Sequence, residues 1–237
     1  MTFVLVNESS QVKRKYMSQT KKFAIVGLGN IGRAVATNLA KSKRPFVVAD
    51  RKIEKARELS EALGTTVEPT EIGTAVKQAD IILLAIPFPA IAEFLQQYAS
   101  DLAGKIIIDP SNPIAPDEKG GFKKIIGQNE SAGEINAATL PKGARLVKAF
   151  GTLGAETLKT AAYQNGQKAV LFYATDGSGV DSEIQQLITD SGFAPIGLDG
   201  LDQSVRLEVF GDLHEFGALG KTVTVSEAKA KLHSLAS

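Results

Sequence analysis

The sequence predicts an α/β fold: a Rossmann-type, doubly wound, mainly parallel sheet continued by a small C-terminal α/β portion. Three observations predict it. Short, wholly apolar runs recur along the chain and stop at glycine, proline or aspartate, the mark of strands buried on both faces. Segments with helical apolar spacing lie between them, and strands alternating with helices imply parallel strands joined by right-handed crossovers. A glycine turn, Gly27-Leu28-Gly29-Asn30-Ile31-Gly32, stands at the first strand–helix junction.

Taken in order, residues 21–26 (KKFAIV) read as the first strand. Over 31–41, Ile31, Val35 and Leu39 with Ala34, Ala36 and Ala40 fit one helix. Residues 46–49 (FVVA) read as a second strand, and 54–63 as a helix stopped by Gly64. Residues 79–86 (ADIILLAI) carry the strongest strand pattern; Pro87 and Pro89 follow it and open a helix that runs through Leu95. Gly104-Lys105 leads into a strand at 106–108 that ends at Asp109-Pro110. The excursion 113–128, rich in Gly and Lys, is too long for a simple connection and reads as a lid. Ser131 and Glu134 suit a capping box for a helix over 132–140. Further strands are expected at 145–150 (RLVKAF), 169–175 (AVLFYAT) and 194–198, with a helix over 182–191, a pattern over 205–216 and a last helix from Ser226.

These elements divide the chain into a tail (1–20), a dinucleotide-binding domain (21–145) and a C-terminal α/β portion (146–237) that extends the same sheet. The tail reads as flexible, as a mis-assigned start (Met17 is an alternative to Met1) or as a docking strand, in that order.

With 237 residues the chain can bury a proper core. It has no Cys, which excludes disulfides, thiolate metal sites and cysteine nucleophiles, and its two His make an all-protein metal site an unfavoured reading. Lys and Arg number 27 against 26 Asp and Glu, so the charge balance favours neither nucleic acid nor a membrane surface. No apolar run approaches the roughly 20 residues that span a bilayer. A cytoplasmic location is expected.

The glycine turn carries the most chemistry. Gly27 permits a tight turn, Gly29 lets backbone approach a pyrophosphate, and Gly32 lets the helix pack closely on the strand. The helix start at Asn30 and Ile31 offers free N–H groups to the phosphates. The second strand ends at Asp50, roughly twenty residues beyond the turn, where a ribose-binding carboxylate belongs. Asp50 alone favours NAD. Arg51, Lys52 and Lys55 follow it, and an arginine there can hold a 2′-phosphate through a bidentate pair. The balance favours NADP(H) over NAD(H).

GLGNIG, Ala49-Asp50-Arg51, LLAIPFPAI (83–91), IIDPSNP (107–113) and VKAFGT (147–152), in that order, resemble the NADP oxidoreductase, coenzyme F-420-dependent family. The chain is also similar to the oxidoreductase domain of six-transmembrane metalloreductases. The resemblance implies a Rossmann protein that moves a hydride between NADP and a flavin-like or deazaflavin co-substrate. It places Gly27 to Gly32 on the pyrophosphate, Arg51 and Lys55 on the 2′-phosphate, and Ala85, Ile86 and Pro87 beside the nicotinamide. Asp50 stands where the family has a small polar residue. Gly151 stands where the deazaflavin enzymes have His and the metalloreductases Asn.

Ligands of parallel sheets bind beyond the carboxyl ends of the strands. Ile86, Pro87 and Phe150 can shield a nicotinamide from water, and Ser111, Asn112 and Thr152 can fix its carboxamide. Carbonyl reduction would need a proton donor as well. The candidates are Lys148, expected to face solvent or pair with a carboxylate, and His214, which a structural role also explains. A flavin or deazaflavin acceptor demands no such residue. The alternatives to hydride transfer between NADP(H) and such an acceptor are a non-catalytic dinucleotide-binding sensor and a carbonyl or imine reductase of the β-hydroxyacid or pyrroline-carboxylate type. A homodimer through the long excursion and the C-terminal segment is expected, with a small-molecule redox co-substrate as partner.

Overall fold

A computed structural model describes residues 21–164, 166–177 and 179–234; the readings made for residues 1–20 fall outside them. The elements in chain order are β1 (Phe23–Val26), α1 (Asn30–Lys41), β2 (Phe46–Ala49), α2 (Ile53–Leu63), β3 (Val67–Pro69), α3 (Ile72–Gln78), β4 (Ile81–Leu84), α4 (Phe88–Gln97), α5 (Ala99–Leu102), β5 (Ile106–Asp109), β6 (Ile114–Pro116) and β7 (Phe122–Lys124). They continue with α6 (Ala132–Ala137), β8 (Arg145–Ala149), α7 (Ala155–Thr160), β9 (Val170–Thr175), α8 (Asp181–Asp190), β10 (Ala194–Asp199), α9 (Ser204–Leu207) and α10 (Val225–Ser234).

The apolar runs form one eight-stranded sheet in the order β10-β9-β8-β5-β4-β1-β2-β3. Strands β1 to β5 and β8 are parallel, while β9 pairs antiparallel with β8 and parallel with β10. The sheet is thus a Rossmann-type doubly wound sheet extended at one edge by the C-terminal strands. Its two faces follow from the alternation of side chains along each strand. Phe23, Ile25, Ile81, Leu83, Ile106 and Ile108 enter one core with α1, α2 and α8. Ala24, Val26, Ile82, Leu84 and Ile107 enter the other with α3 and α4. A strand buried on both faces has no polar position to spare, which is why 81–84 reads IILL.

Several local features differ from the sequence-based expectation. The short β3–α3 unit falls in a segment without a long apolar run, and Pro69 sits at the sheet edge, where the missing N–H costs no ladder bond. Helix α3 is closed by Lys105, whose Nζ donates to the carbonyls of Val76, Lys77 (2.9 Å) and Ala79 (2.6 Å). The 113–128 excursion contains the antiparallel hairpin β6–β7, in which Ile114 faces Lys124. Helix α6 ends at Ala137 rather than Leu140. Ser131 Oγ accepts from the Glu134 N–H at 3.1 Å, but the Glu134 carboxylate accepts from the Ser131 hydroxyl, so the reciprocal half of the capping box is replaced.

Candidate functional site

Strands β1 and β4 are neighbours, and the chain leaves them on opposite sides of the sheet, so a crevice opens between their carboxyl ends. The glycine turn forms its floor. Gly27 has φ +95°, and a Cβ there would lie 2.4 Å from the Ala85 carbonyl oxygen. A Cβ on Gly32 would lie 2.0 Å from the Gly27 carbonyl oxygen, so α1 rests directly on the turn. Gly29 differs: it is extended, exposed, and a Cβ would meet nothing within 4 Å. It is also the N-cap of α1, with no side chain satisfying the first-turn N–H groups. Free N–H groups at the start of a 12-residue helix, beside an open glycine, suit an anion.

Asp50 locks this turn. Its Oδ2 accepts from the Leu28 N–H at 2.8 Å and its Oδ1 from the Lys52 N–H at 3.1 Å. Burial works against the charged form, but those two N–H groups, with Lys55 and Arg51 nearby, outweigh it and hold the carboxyl below its usual range. The side chain that the sequence suggests as a ribose reader is already engaged with backbone. Arg51, exposed, and Lys55, half-buried, line the same hollow.

The crevice has two halves that share Gly29, Ala85, Ile86 and Pro87. The half beside β2 encloses about 510 Å³, with Leu28, Asp50, Arg51 and Lys55 on one wall and Ile72, Ala90, Glu93, Phe94 and Gln97 on the other. The half beside β5 encloses about 370 Å³ and is lined by Asn30, Ile31, Phe88, Pro110, Ser111, Asn112 and Ile114. The proposed contacts therefore gather along one crevice, with Gly32 supporting it from below. Sequence reasoning missed the α4 wall. Glu93 and Gln97 stand one helical turn apart there, and the signal was available in the period of α4, whose buried positions are Ile91, Phe94 and Leu95.

The three candidate acid–base or polar residues do not reach the crevice. Lys148 is 2% exposed. Of the two expectations for it, solvent exposure fails and pairing with a carboxylate holds, because α6 and α9 cover its face of the sheet. It pairs with Asp109 at 3.1 Å and lies 3.6 Å from Glu208, and it donates to the Ser111 carbonyl. Asp109 also accepts from Ser111 N–H at 2.7 Å and from Asn136 Nδ2 at 2.9 Å. Burial raises the Glu208 carboxyl, and Asp109 adds to the shift, against the opposing Lys148 and the N–H groups of Ala132 and Gly133.

His214 is 1% exposed, and its Nδ1 accepts from the Phe216 N–H at 2.9 Å. Burial pushes it down to about 4, with Lys148 adding to the shift and the Gly151 backbone opposing it, so it is neutral at physiological pH. Thr152 is buried, and its Oγ1 has no hydrogen-bond partner in the structure. Asn112 is held on both sides: Nδ2 donates to the Gly151 carbonyl at 3.1 Å, and Oδ1 accepts from Val209 N–H at 2.7 Å. Gly151 itself is tightly seated, since a Cβ there would lie 2.6 Å from the Pro110 carbonyl oxygen. Among the described residues no cluster of His, Asp or Glu suits a metal ion, and no helix is long and apolar enough to cross a membrane.

Comparison with known proteins agrees with this geometry. A Sinorhizobium meliloti protein described as hypothetical superposes with a TM-score of 0.75 at 28% identity, covering 90% of this chain and 98% of that one. An Arthrobacter sp. protein provisionally assigned as an F420-dependent NADP-reductase superposes with a TM-score of 0.67 at 21% identity, covering 78% of this chain and 87% of the other, a likeness of fold. The opine dehydrogenase of an Arthrobacter sp. is 32% identical over 129 residues, 48% of this chain but only 35% of that enzyme. The chain thus spans about a third of the curated relatives it matches. The matched part lies on the glycine turn, β2, β4 and β5: residues 22–113 match the model of the NADP oxidoreductase, coenzyme F420-dependent family.

Proposed function

We propose that the chain is an NAD(P)-dependent oxidoreductase that prefers NADP(H) and passes a hydride between it and a flavin-like or deazaflavin acceptor. The observation that carries the reading is the crevice itself, where an open Gly29 and uncapped helix N–H groups stand between a basic hollow and an apolar one. The pyrophosphate lies against Gly29 and the start of α1. The adenosine lies in the larger half, with Arg51 and Lys55 towards the 2′-phosphate and the base between Ile72, Ala90 and Phe94. Because Asp50 is bound to backbone N–H groups and flanked by two cations, its charge opposes a 2′-phosphate less than a free carboxylate would.

The nicotinamide lies in the smaller half, where Ile31, Ile86, Pro87 and Phe88 exclude water and Ser111 and Asn112 border it. When bound, the cofactor supplies or receives the hydride. The protein's part is to hold the ring and keep it dry. Among the described residues, the lining of this half contains no Lys, His, Tyr, Asp or Glu, which supports an acceptor that needs no proton donor beside the hydride. A carbonyl or imine reductase is disfavoured on the same ground.

A second reading, a dinucleotide-binding protein without turnover, is favoured by the seat of Gly151, where neither the His nor the Asn of the resembled enzymes fits without moving Pro110. Titration with NADPH and NADH, followed by a panel of flavins, deazaflavin and simple carbonyls, separates the readings. Tight NADPH binding with oxidation by a flavin or deazaflavin supports the first. Binding with no turnover supports the second, and failure to bind either dinucleotide refutes both. The proposal includes a homodimer, since Phe122 and Ile125 around the hairpin are exposed to solvent; sedimentation tests it.

A further inference from the structure

We propose that Lys148 is a positioning residue for the nicotinamide half of the crevice, acting through the peptide of Ser111. The inference rests on the reading of the crevice given above. Ser111 and Asn112 form a wall of that half, and the first of them is gripped at both ends. Its N–H donates to Asp109 Oδ1 at 2.7 Å, and its carbonyl accepts from Lys148 Nζ. Lys148 closes the ring by donating to Asp109 Oδ2 at 3.1 Å. An ammonium has three protons. Two of them go to Asp109 and the Ser111 carbonyl, and the Glu208 carboxylate lies 3.6 Å away as an ion-pair partner. Lys148 is buried and absent from the lining of both halves, so its effect on the crevice passes through the wall it holds.

The same cluster ties the C-terminal segment to this wall. Glu208 lies against Lys148 and accepts from the Gly133 N–H at 3.2 Å, and the next residue, Val209, donates to Asn112. Val209 thus braces Asn112 directly, and Glu208 reaches Ser111 only through Lys148. Stability alone does not require a charge at position 148, because well-packed apolar residues often replace buried ion pairs without loss. A wall held in place beside a reacting ring gives the charge a use, since displacement by about 1 Å at such a position can cost about a hundredfold in rate.

The test separates the two halves of the ligand. NADP+ and 2′-phospho-ADP-ribose share the adenosine and pyrophosphate, and only the first carries nicotinamide. We expect Lys148→Met to weaken NADP+ about tenfold while leaving 2′-phospho-ADP-ribose within about twofold. Where Lys148→Met does not fold, Lys148→Met with Glu208→Gln removes one of the two carboxylates it strands, and Asp109 keeps the Ser111 N–H and Asn136 as donors. A rescue is also open. The chain has no cysteine, so Lys148→Cys can be aminoethylated at that one site in denaturant and refolded, restoring an ammonium at the same reach. Recovery of NADP+ affinity with the thialysine side chain supports a positioning role. Parallel losses for both ligands, or no loss for either, overturn it. If the unaltered protein binds neither ligand, the reading of the crevice fails as well, a result distinct from binding that Lys148 leaves untouched.

Discussion

Gly29→Ala separates binding from folding at the glycine turn. The three glycines of that turn are not equivalent. A methyl on Gly27 or Gly32 would collide with backbone, at 2.4 Å and 2.0 Å from carbonyl oxygens, and would damage the fold. A methyl on Gly29 meets no protein atom within 4 Å, and its φ of −75° and ψ of −161° are open to any residue. Replacing a glycine by alanine in a conformation that alanine tolerates stabilises a protein by about 0.4–1 kcal/mol, through the unfolded chain. Thermal unfolding of Gly29→Ala should therefore be unchanged or slightly raised. Binding should suffer, because the methyl occupies the space through which a pyrophosphate reaches the N–H groups of α1. Losing one or two charge-assisted hydrogen bonds of about 1.5–3 kcal/mol each predicts at least a tenfold rise in the Kd for NADPH. Nicotinamide fluorescence gives the Kd, and a melting curve of the same sample gives the stability. Unchanged affinity in a normally folded variant would refute the placement of the pyrophosphate.

Three further outcomes are expected. Arg51→Ala should weaken NADPH about tenfold or more and NADH little, by parallel titrations; equal losses would mean that Arg51 does not read the 2′-phosphate. His214, held down to about 4 from an ordinary value of 6.5, is neutral in the fold, so the unfolded chain binds more protons between those values. Its contribution makes stability fall as pH drops from about 6.5 to 4, by about 3 kcal/mol at most, and level off below that. Denaturant titrations across that window should show the slope in the unaltered protein and lose it in His214→Asn, and a slope of equal size in both would contradict the assignment. Gly151→Asn, which restores the side chain of the resembled metalloreductases, should cost about 1–3 kcal/mol by overpacking against Pro110. A variant as stable as its parent would show that the 110–112 strip yields easily.

Much of this architecture was legible because parallel strands buried on both faces are written as unbroken apolar runs. FAIV, IILL and III needed no three-dimensional information, and the glycine turn located the crevice. Elements without that signature were harder. Val67–Pro69 is a short edge strand containing a proline, and Ala155–Thr160 is too short a helix to show a period. The roles of single polar residues were legible least of all, because they depend on contacts far apart in the chain. Asp50 engages Leu28, and Lys148 engages Asp109 and Glu208. A lysine in the middle of RLVKA reads as a solvent-facing position of a half-buried strand until α6 and α9 are seen to cover that face.

The same contacts explain why the crevice has a different character at its two ends. On the β2 side its walls carry exposed or half-buried charged side chains, Arg51, Lys55 and Glu93, which can adapt to a phosphate and a base. On the β5 side the backbone and the Asn112 side chain are committed before any ligand arrives, while the buried Ser111 hydroxyl has no partner of its own. Ser111 is held by its peptide, Asn112 by Gly151 and Val209, and Gly151 by its close seat on Pro110. A rigid, largely apolar end suits hydride transfer, in which the ring must be placed accurately and water kept out. It also constrains the acceptor. With no side chain at position 151 and no ionisable group among the described residues of the lining, the acceptor proposed above, one that carries its own electron sink, would be held by shape rather than by a charged or acid–base contact.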